Sequence, residues 1–488
     1  MIKVSTQWIC KALSAQMVGD AQGGVPSEVM EIDKVSTDTR FIEPGALFIA
    51  LRGPNFDGHR FVEQAVEKGA AAIVVDHQLD VDVPQILVKD TTLALGALGA
   101  AVKAQLQPKT IGITGSVGKT TVKEMTAAIM SRLGNVLATK GNFNNAIGVP
   151  LTLLRLEPQH QYAVIELGAN HPGEIAHTTT LVKPDVCMIN NVAEAHLEGF
   201  VDLYGVARAK GEIFTHSPDD SIAVVNLDCN YCDYWLRKLK GRPVKRFAMS
   251  GDKDVDVWVD NICLDEYGCA TFDLYQQTGK EQIDNEKIEV QLSVPGMHNV
   301  ANALASASVC MSLGATMADV SEGLRQMQPV AGRVNLIKVS PDLTVIDDTY
   351  NANVESAKAA IDLLVESAGL KVLVLGDMAE LGLDARVYHE EVGIYAKKQG
   401  IDRLFTLGVL SQNASEMFNG DGKHFSSRAQ LLQRLFEVVE QHLCQAIDEC
   451  TQKITVLVKG SRSAKMELVV KALVDNYDAP QQNSREAS

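Results

Sequence analysis

Between residues 110 and 133 the chain places an apolar run, a glycine loop and an amphipathic run in immediate succession. The loop reads Thr114-Gly115-Ser116-Val117-Gly118-Lys119-Thr120-Thr121. Glycines there let backbone N–H groups approach phosphate oxygens, and the N-terminus of the following helix favours an anion. Lys119 is placed to neutralise β- and γ-phosphates, and the Thr120 hydroxyl to ligate Mg2+. The general phosphate-loop pattern has its first glycine where this chain has Ile113, so the loop is a variant in which Gly115 makes the turn. A plain glycine turn before an ordinary helix would not explain why strand, Gly-Lys-Thr and helix fall in register. ATP is the expected nucleotide, because guanine readers carry Asn-Lys-x-Asp and no Asn-Lys pair occurs in the chain.

A strand feeding such a loop implies a parallel sheet with crossover helices, and the rest of the chain repeats that pattern. Its 488 residues suggest about three domains. Residues 1–88 read as a small α/β unit, with buried strands at 46–50 and 70–75 and a helix over 60–68. An alanine- and leucine-rich helix is expected over 91–107, ending at Pro108. The central region, 89–329, shows further apolar runs at 162–167, 186–190 and 222–226. A third block, 330–477, has runs at 345–348, 372–377, 404–408 and 454–458. The polar end, 478–488, is expected to be disordered.

Composition removes several function classes. A net charge of −16 argues against general affinity for nucleic acid or an anionic membrane. No run approaches the roughly 20 apolar residues of a membrane span, and the start lacks a signal-peptide pattern, so a cytoplasmic protein is expected. Nine cysteines are scattered from Cys10 to Cys450. Cys229 and Cys232 form a C-x-x-C, but Cys263 and Cys269 are wrongly spaced to complete a zinc site, so reduced structural thiols are expected.

A phosphate loop alone does not name a reaction. Downstream polar residues fall at strand ends, where open α/β sheets place their sites. Glu166 ends one strand and suits Mg2+ beside Thr120. His196 follows another, and Lys210 lies in a helix-like run. Singly, these read as a helix cap, a core histidine and a solvated lysine. Their order and spacing, with Gly296-Met297-His298-Asn299, Gly332-Arg333 and Asp348, resemble the Mur ligase family from about residue 36 to 471. The resemblance implies three α/β domains: a UDP-substrate domain, a central P-loop ATPase domain and a Rossmann-like C-terminal domain. It implies that residues 115–121 hold ATP, that Asn299 contacts adenine, and that Arg333 and Asp348 reach phosphates and ribose. It further implies two Mg2+ ions near Glu166 and His196, with Lys210 carbamylated as an extra anionic ligand. Lys119, His196 and Lys210 are then the catalytic group.

Ser36-Thr37-Asp38-Thr39-Arg40 and Asp57-Gly58-His59 resemble the family's UDP-sugar grip. In the third block Asp348, Asn351, Asn353 and Asp377 lie in segments similar to the branch that adds D-alanyl-D-alanine to UDP-N-acetylmuramoyl-tripeptide. Many relatives have proline where this chain has Val354. The Asp-Asn-Pro-Arg motif of the branch adding a diamino acid is absent. The expected chemistry is phosphorylation of a carboxylate followed by amide formation in peptidoglycan precursor synthesis, by a monomer whose third domain moves on ligand binding. A single-amino-acid ligase, a folylpolyglutamate-type enzyme and an ATP-dependent kinase or switch are the rivals.

Overall fold

The computed structural model describes residues 1–19, 29–53, 56–193, 197–252, 254–277, 285–445 and 453–483. Three main sheets follow one another along the chain. The first has five strands in the order Gln16–Val18, Gln85–Leu87, Ala72–Val75, Leu47–Ile49, Val35–Ser36. All its pairings are parallel except the first, which is antiparallel. The expected helix over 60–68 is a 3-10 turn, Gly58–Phe61, running into a helix, Val62–Glu67.

The central sheet has nine strands. The strand Lys109–Thr114, which feeds the phosphate loop, lies between Tyr162–Glu166 and Val186–Ile189 and is parallel to both. Its core residues Ile111 and Ile113 are fully buried, as befits a strand covered on both faces. Three long antiparallel strands, Val257–Leu264, Cys269–Gln277 and Asn285–Pro295, extend this sheet. They alternate buried and exposed residues rather than forming continuous apolar runs. The last of them leads through Gly296 into the helix Met297–Met311, of which one face packs against the helix Lys119–Met130.

The third sheet has six strands, parallel except for Asn335–Lys338 at its edge. The last helix spans Glu467–Asn483 and so takes in backbone expected to be disordered from 478 onward; residues 484–488 lie outside the described residues. Among the described residues no helix is long and apolar enough to cross a membrane.

The helix Thr91–Leu106 joins the first two sheets. Asp90 caps its N-terminus by accepting from the N–H groups of Thr92 and Leu93, and Gln107 ends it in the left-handed region. Its Leu95, Leu98 and Val102 belong to one apolar cluster that runs from Leu47 and Val74 of the first sheet to Ile165 and Cys187 of the central sheet. The third block differs. Its two apolar clusters contain only residues between 334 and 473. Leu98 is fully buried in the shared cluster. Leu98→Ala should therefore cost about 2–5 kcal/mol of stability, measured by urea unfolding. A loss below about 0.5 kcal/mol would show that the helix is not a shared core element.

Candidate active site at the phosphate loop

The loop is shaped by asparagines. Asn191 Oδ1 accepts from the Val117 N–H at 2.8 Å, and its Nδ2 donates to the Val117 carbonyl at 2.9 Å. Asn190 Nδ2 donates to the same carbonyl at 2.9 Å and to Asn302 Oδ1 at 3.1 Å. Ser116 donates its hydroxyl to the Ala193 carbonyl. Gly118 begins the helix at φ +78°, and a Cβ there would lie 2.6 Å from Asn302 Oδ1 and 2.8 Å from Asn190 Nδ2. No side chain caps this helix, so the N–H groups of its first turn, which includes Lys119, Thr120 and Thr121, face an incoming anion.

Two lysines converge under Gly115. Lys119 donates to the Gly115 carbonyl at 2.7 Å and to the Ser116 carbonyl at 3.3 Å. Lys210, only 2% exposed, donates to the same Gly115 carbonyl at 3.0 Å. Burial, and then the charge of Lys119, hold the Lys210 amine well below the usual lysine range. Burial also lowers Lys119, although Glu166 and Glu380 favour its charged form.

Thr120 donates to Glu166 Oε2 at 3.1 Å, and Asn144 donates to Glu166 Oε1 at 2.8 Å. A hydroxyl beside a carboxylate is a hard oxygen pair that suits Mg2+. From the third block, Arg333 Nη2 reaches Thr120 Oγ1 at 3.2 Å, and its guanidinium lies 4.2 Å from the Tyr350 ring centroid. His196 lies outside the described residues.

A cavity of about 400 Å³ opens beside the loop, walled by Val117, Thr121, Asn299, Arg333, Asp348 and Lys459 among others. The Asn299 side chain is engaged within the protein: it donates to the Pro295 carbonyl at 2.7 Å and accepts from Asn302 at 2.9 Å. The Asp348 carboxylate pairs with the buried Lys459 ammonium, which also donates to the Asn351 carbonyl at 3.0 Å. Burial lowers Lys459, and Asp348 opposes that shift.

Other expected contacts look different in place. Asn353 caps the helix Val354–Val365, accepting from the Ser356 N–H at 2.9 Å. Asn351 accepts from the Ala352 N–H. Both asparagines line a small cavity with Lys119 and Glu380. Asp377 is engaged within the protein. Its carboxylate accepts from the N–H groups of Val409, Leu410 and Ser411 at 2.7–3.0 Å, in a turn where Gly408 has no Cβ to collide with it.

In the first unit, Ser36 accepts from the Asp38 N–H at 3.2 Å, and Thr37 follows Ser36 at the end of the strand Val35–Ser36. Asp38 caps a 3-10 turn and grips the exposed Arg40. Asp57 caps the turn that starts at Gly58. His59 Nε2 accepts from the Asp76 N–H at 3.2 Å, so Nδ1 carries the proton that meets Asp57 Oδ1 at 2.7 Å. His59, by that side-chain bond and its backbone N–H, lowers Asp57 to about 2.

Asn190, Asn191, Asn144, Asn302 and Lys459 are site residues that the sequence reading did not single out. Two signals pointed to some of them. Asn190-Asn191 is a polar pair directly after a buried strand, and Asn302 is one helical turn from Asn299.

The fold and loop define a class: a multidomain P-loop protein with a cleft between its nucleotide-binding sheet and a Rossmann-like third block. Known proteins narrow it. Family models described as Mur ligase family, catalytic domain, Mur ligase middle domain, and Mur ligase, glutamate ligase domain match residues 31–132, 113–310 and 332–462. The chain is 46% identical over 462 residues to the UDP-N-acetylmuramoyl-tripeptide–D-alanyl-D-alanine ligase of Escherichia coli (strain K12), covering 95% of this chain and 98% of that protein. It is 36% identical over 478 residues to the enzyme of that name from Bacillus subtilis (strain 168), covering 95% and 97%. A crystal structure of MurF from Acinetobacter baumannii superposes with a TM-score of 0.88 at 36% identity, covering 97% of this chain and 99% of that one. The chain belongs to the Mur ligase family.

Gly118→Ala should weaken ATP binding about tenfold or more, since the left-handed region costs a non-glycine residue roughly 1–2 kcal/mol before any collision with Asn302. Calorimetric titration would measure this. Unchanged affinity in a folded variant would mean that the loop geometry is not what binds the nucleotide.

Proposed function

We propose that this chain ligates D-alanyl-D-alanine to UDP-N-acetylmuramoyl-tripeptide, consuming ATP and releasing ADP and phosphate, in peptidoglycan precursor synthesis. One observation carries the reading: the near full-length similarity to ligases of that name, over a chain whose third block reaches the phosphate loop through Arg333 and Thr120. We assign residues 1–88 to the UDP-substrate domain, 89–329 to the ATP domain and 330–477 to the ligase domain. Ser36, Thr37, Asp38, Arg40, Asp57, Gly58 and His59 are the candidates for the UDP end, and Asn351 and Asn353 for the amine end.

The chemistry follows from leaving groups. A carboxylate cannot expel oxide, so its oxygen first attacks the γ-phosphorus of ATP. The P–O bond to ADP breaks and an acyl phosphate forms. The amine then attacks the acyl carbon, the C–O bond to phosphate breaks, and nitrogen sheds its proton as the amide forms. Lys119 sits where charge grows on the transferring oxygens. Arg333 brings a second cation to the same place. Thr120 and Glu166 would hold Mg2+, which supplies charge neutralisation; His196 and Lys210 are the candidates for a second ion. A cleft closed by the third block would exclude water from the acyl phosphate.

Lys210 fits carbamylation because CO2 adds only to a neutral amine, giving a carbamate and a proton. Its lowered pKa keeps the amine neutral at a lower pH than an exposed lysine allows, so acidification should protonate it and abolish stimulation by bicarbonate. Lys210→Ala should lose roughly 100-fold or more of its activity while keeping ATP binding. Full activity in CO2-depleted buffer would rule the modification out.

The substrate assignment is tested by phosphate release with D-alanyl-D-alanine, D-alanine, L-lysine and diaminopimelate, each paired with UDP-N-acetylmuramoyl-dipeptide and -tripeptide. Release should be greatest with D-alanyl-D-alanine and the tripeptide. A single amino acid on the dipeptide acceptor outperforming that pair would overturn the branch but keep the ligase. Release without any amine would point to a kinase or switch.

A further inference from the structure

The helix that follows the phosphate loop carries a buried cation one turn beyond Lys119. Lys123 is only 1% exposed. Its Nζ donates to the Thr139 carbonyl at 2.6 Å and to Glu124 Oε1 at 2.5 Å. Taking an ammonium out of water is costly, and an apolar side chain of similar volume is often tolerated as well or better. Stability alone therefore does not call for a lysine here. What Lys123 holds is informative. Thr139 follows the strand Val136–Ala138 and is itself buried. Its N–H donates to the Val164 carbonyl at 3.1 Å, and its hydroxyl accepts from the Glu166 N–H at 3.0 Å. Thr139 also begins the loop that leads to Asn144. The Asn144 amide donates to Glu166 Oε1 at 2.8 Å, and its carbonyl accepts from the Gly168 N–H at 2.8 Å. Glu166 is thus gripped at its backbone and at one carboxylate oxygen by a segment that Lys123 anchors.

We propose that Lys123 is a positioning residue for the metal: acting through Thr139, it fixes Glu166 relative to Thr120 at the spacing that Mg2+ requires. This rests on the reading that Thr120 and Glu166 hold Mg2+. The other carboxylate oxygen of Glu166 lies 3.1 Å from Thr120 Oγ1. Two adjacent oxygens on an octahedral Mg2+, with bonds of about 2.1 Å, stand about 3 Å apart, and Mg2+ tolerates little departure from that geometry. Thr120 and Lys123 are three residues apart on one helix and so share a face. One turn of helix therefore supplies the first ligand and steadies the backbone that carries the second. The sign of the effect separates positioning from charge. An ammonium on that face repels a dication, so removing its charge alone would strengthen metal binding. Loss of positioning weakens it.

The test measures ATP binding to the full-length protein by calorimetric titration, once with Mg2+ and once with EDTA, and takes the ratio of the two affinities. Lys123→Met should lower that ratio about tenfold and leave ATP affinity in EDTA near the wild-type value. Thr139→Val removes the hydroxyl that holds the Glu166 N–H and should lower the ratio by a similar factor, which carries the test should Lys123→Met fail to fold. The double variant should lose no more than the larger single loss, because both residues act along one path. An unchanged or increased ratio in either single variant would overturn this inference and leave the proposed function standing. An equal fall with and without Mg2+ is such an outcome, and marks a purely structural role. Additive losses in the double variant would overturn it too. A ratio unaffected by Glu166→Gln would overturn the Mg2+ assignment and this inference with it.

Discussion

The Asn190 side-chain amide holds the nucleotide site in shape. It hangs from the end of a buried strand, donates to the Val117 carbonyl inside the loop, and donates again to Asn302 on a helix more than a hundred residues away. The Asn226 amide in turn donates to the Asn190 carbonyl at 3.0 Å. Strand ends, loop and helix are thereby tied by neutral hydrogen bonds, each worth about 1 kcal/mol net but together selecting one loop geometry. A neutral network suits this place. It fixes the loop without adding charge that would compete with phosphate.

Charge is concentrated one step away, where Lys119 and Lys210 donate to one carbonyl oxygen. Two full positive charges that close, in a buried setting, repel strongly. The pair is relieved if one amine is neutral, and burial together with the charge of Lys119 pushes Lys210 in that direction. Burial lowers Lys119 as well, but Glu166 and Glu380 favour its charged form. Burial, usually a penalty for lysine, acts most strongly here on the one that already faces a second cation.

Much of this was legible in the residues. Continuous apolar runs marked the central parallel strands of all three sheets, though not Val35–Ser36, Gln85–Leu87, Val136–Ala138, Val244–Phe247 or Gly422–Phe425, and Gly-Lys-Thr between strand and helix marked the loop. The meander Val257–Pro295 escaped notice because a strand with one solvated face alternates, and alternation over polar sequence is a weak signal. The asparagine network was hidden for a different reason. Its members are remote in sequence, and an asparagine singly is at home in any turn. Asp377 shows the converse: a strand-end acid reads as a ligand group, and its carboxylate closes a turn with the backbone of 409–411. Asn353, a candidate substrate contact, also caps a helix. Local hydrogen-bond demand and function call for the same residue types at strand ends, and sequence alone does not separate them.

The distribution of apolar clusters has a mechanical meaning. Of the three main sheets, the first two share a core through the helix Thr91–Leu106, whereas the third keeps its core to itself. The apolar cores thus fall into two groups, and the chain passes to the second near Gly332, which stands at φ +72° beside Val334 at +52°. Arg333 sits between these two residues. The guanidinium that reaches the phosphate loop is thus carried beside that junction, where a rotation of the third body would displace it least. Such a residue would keep its hold on the phosphate loop through a rotation that parts the two blocks elsewhere.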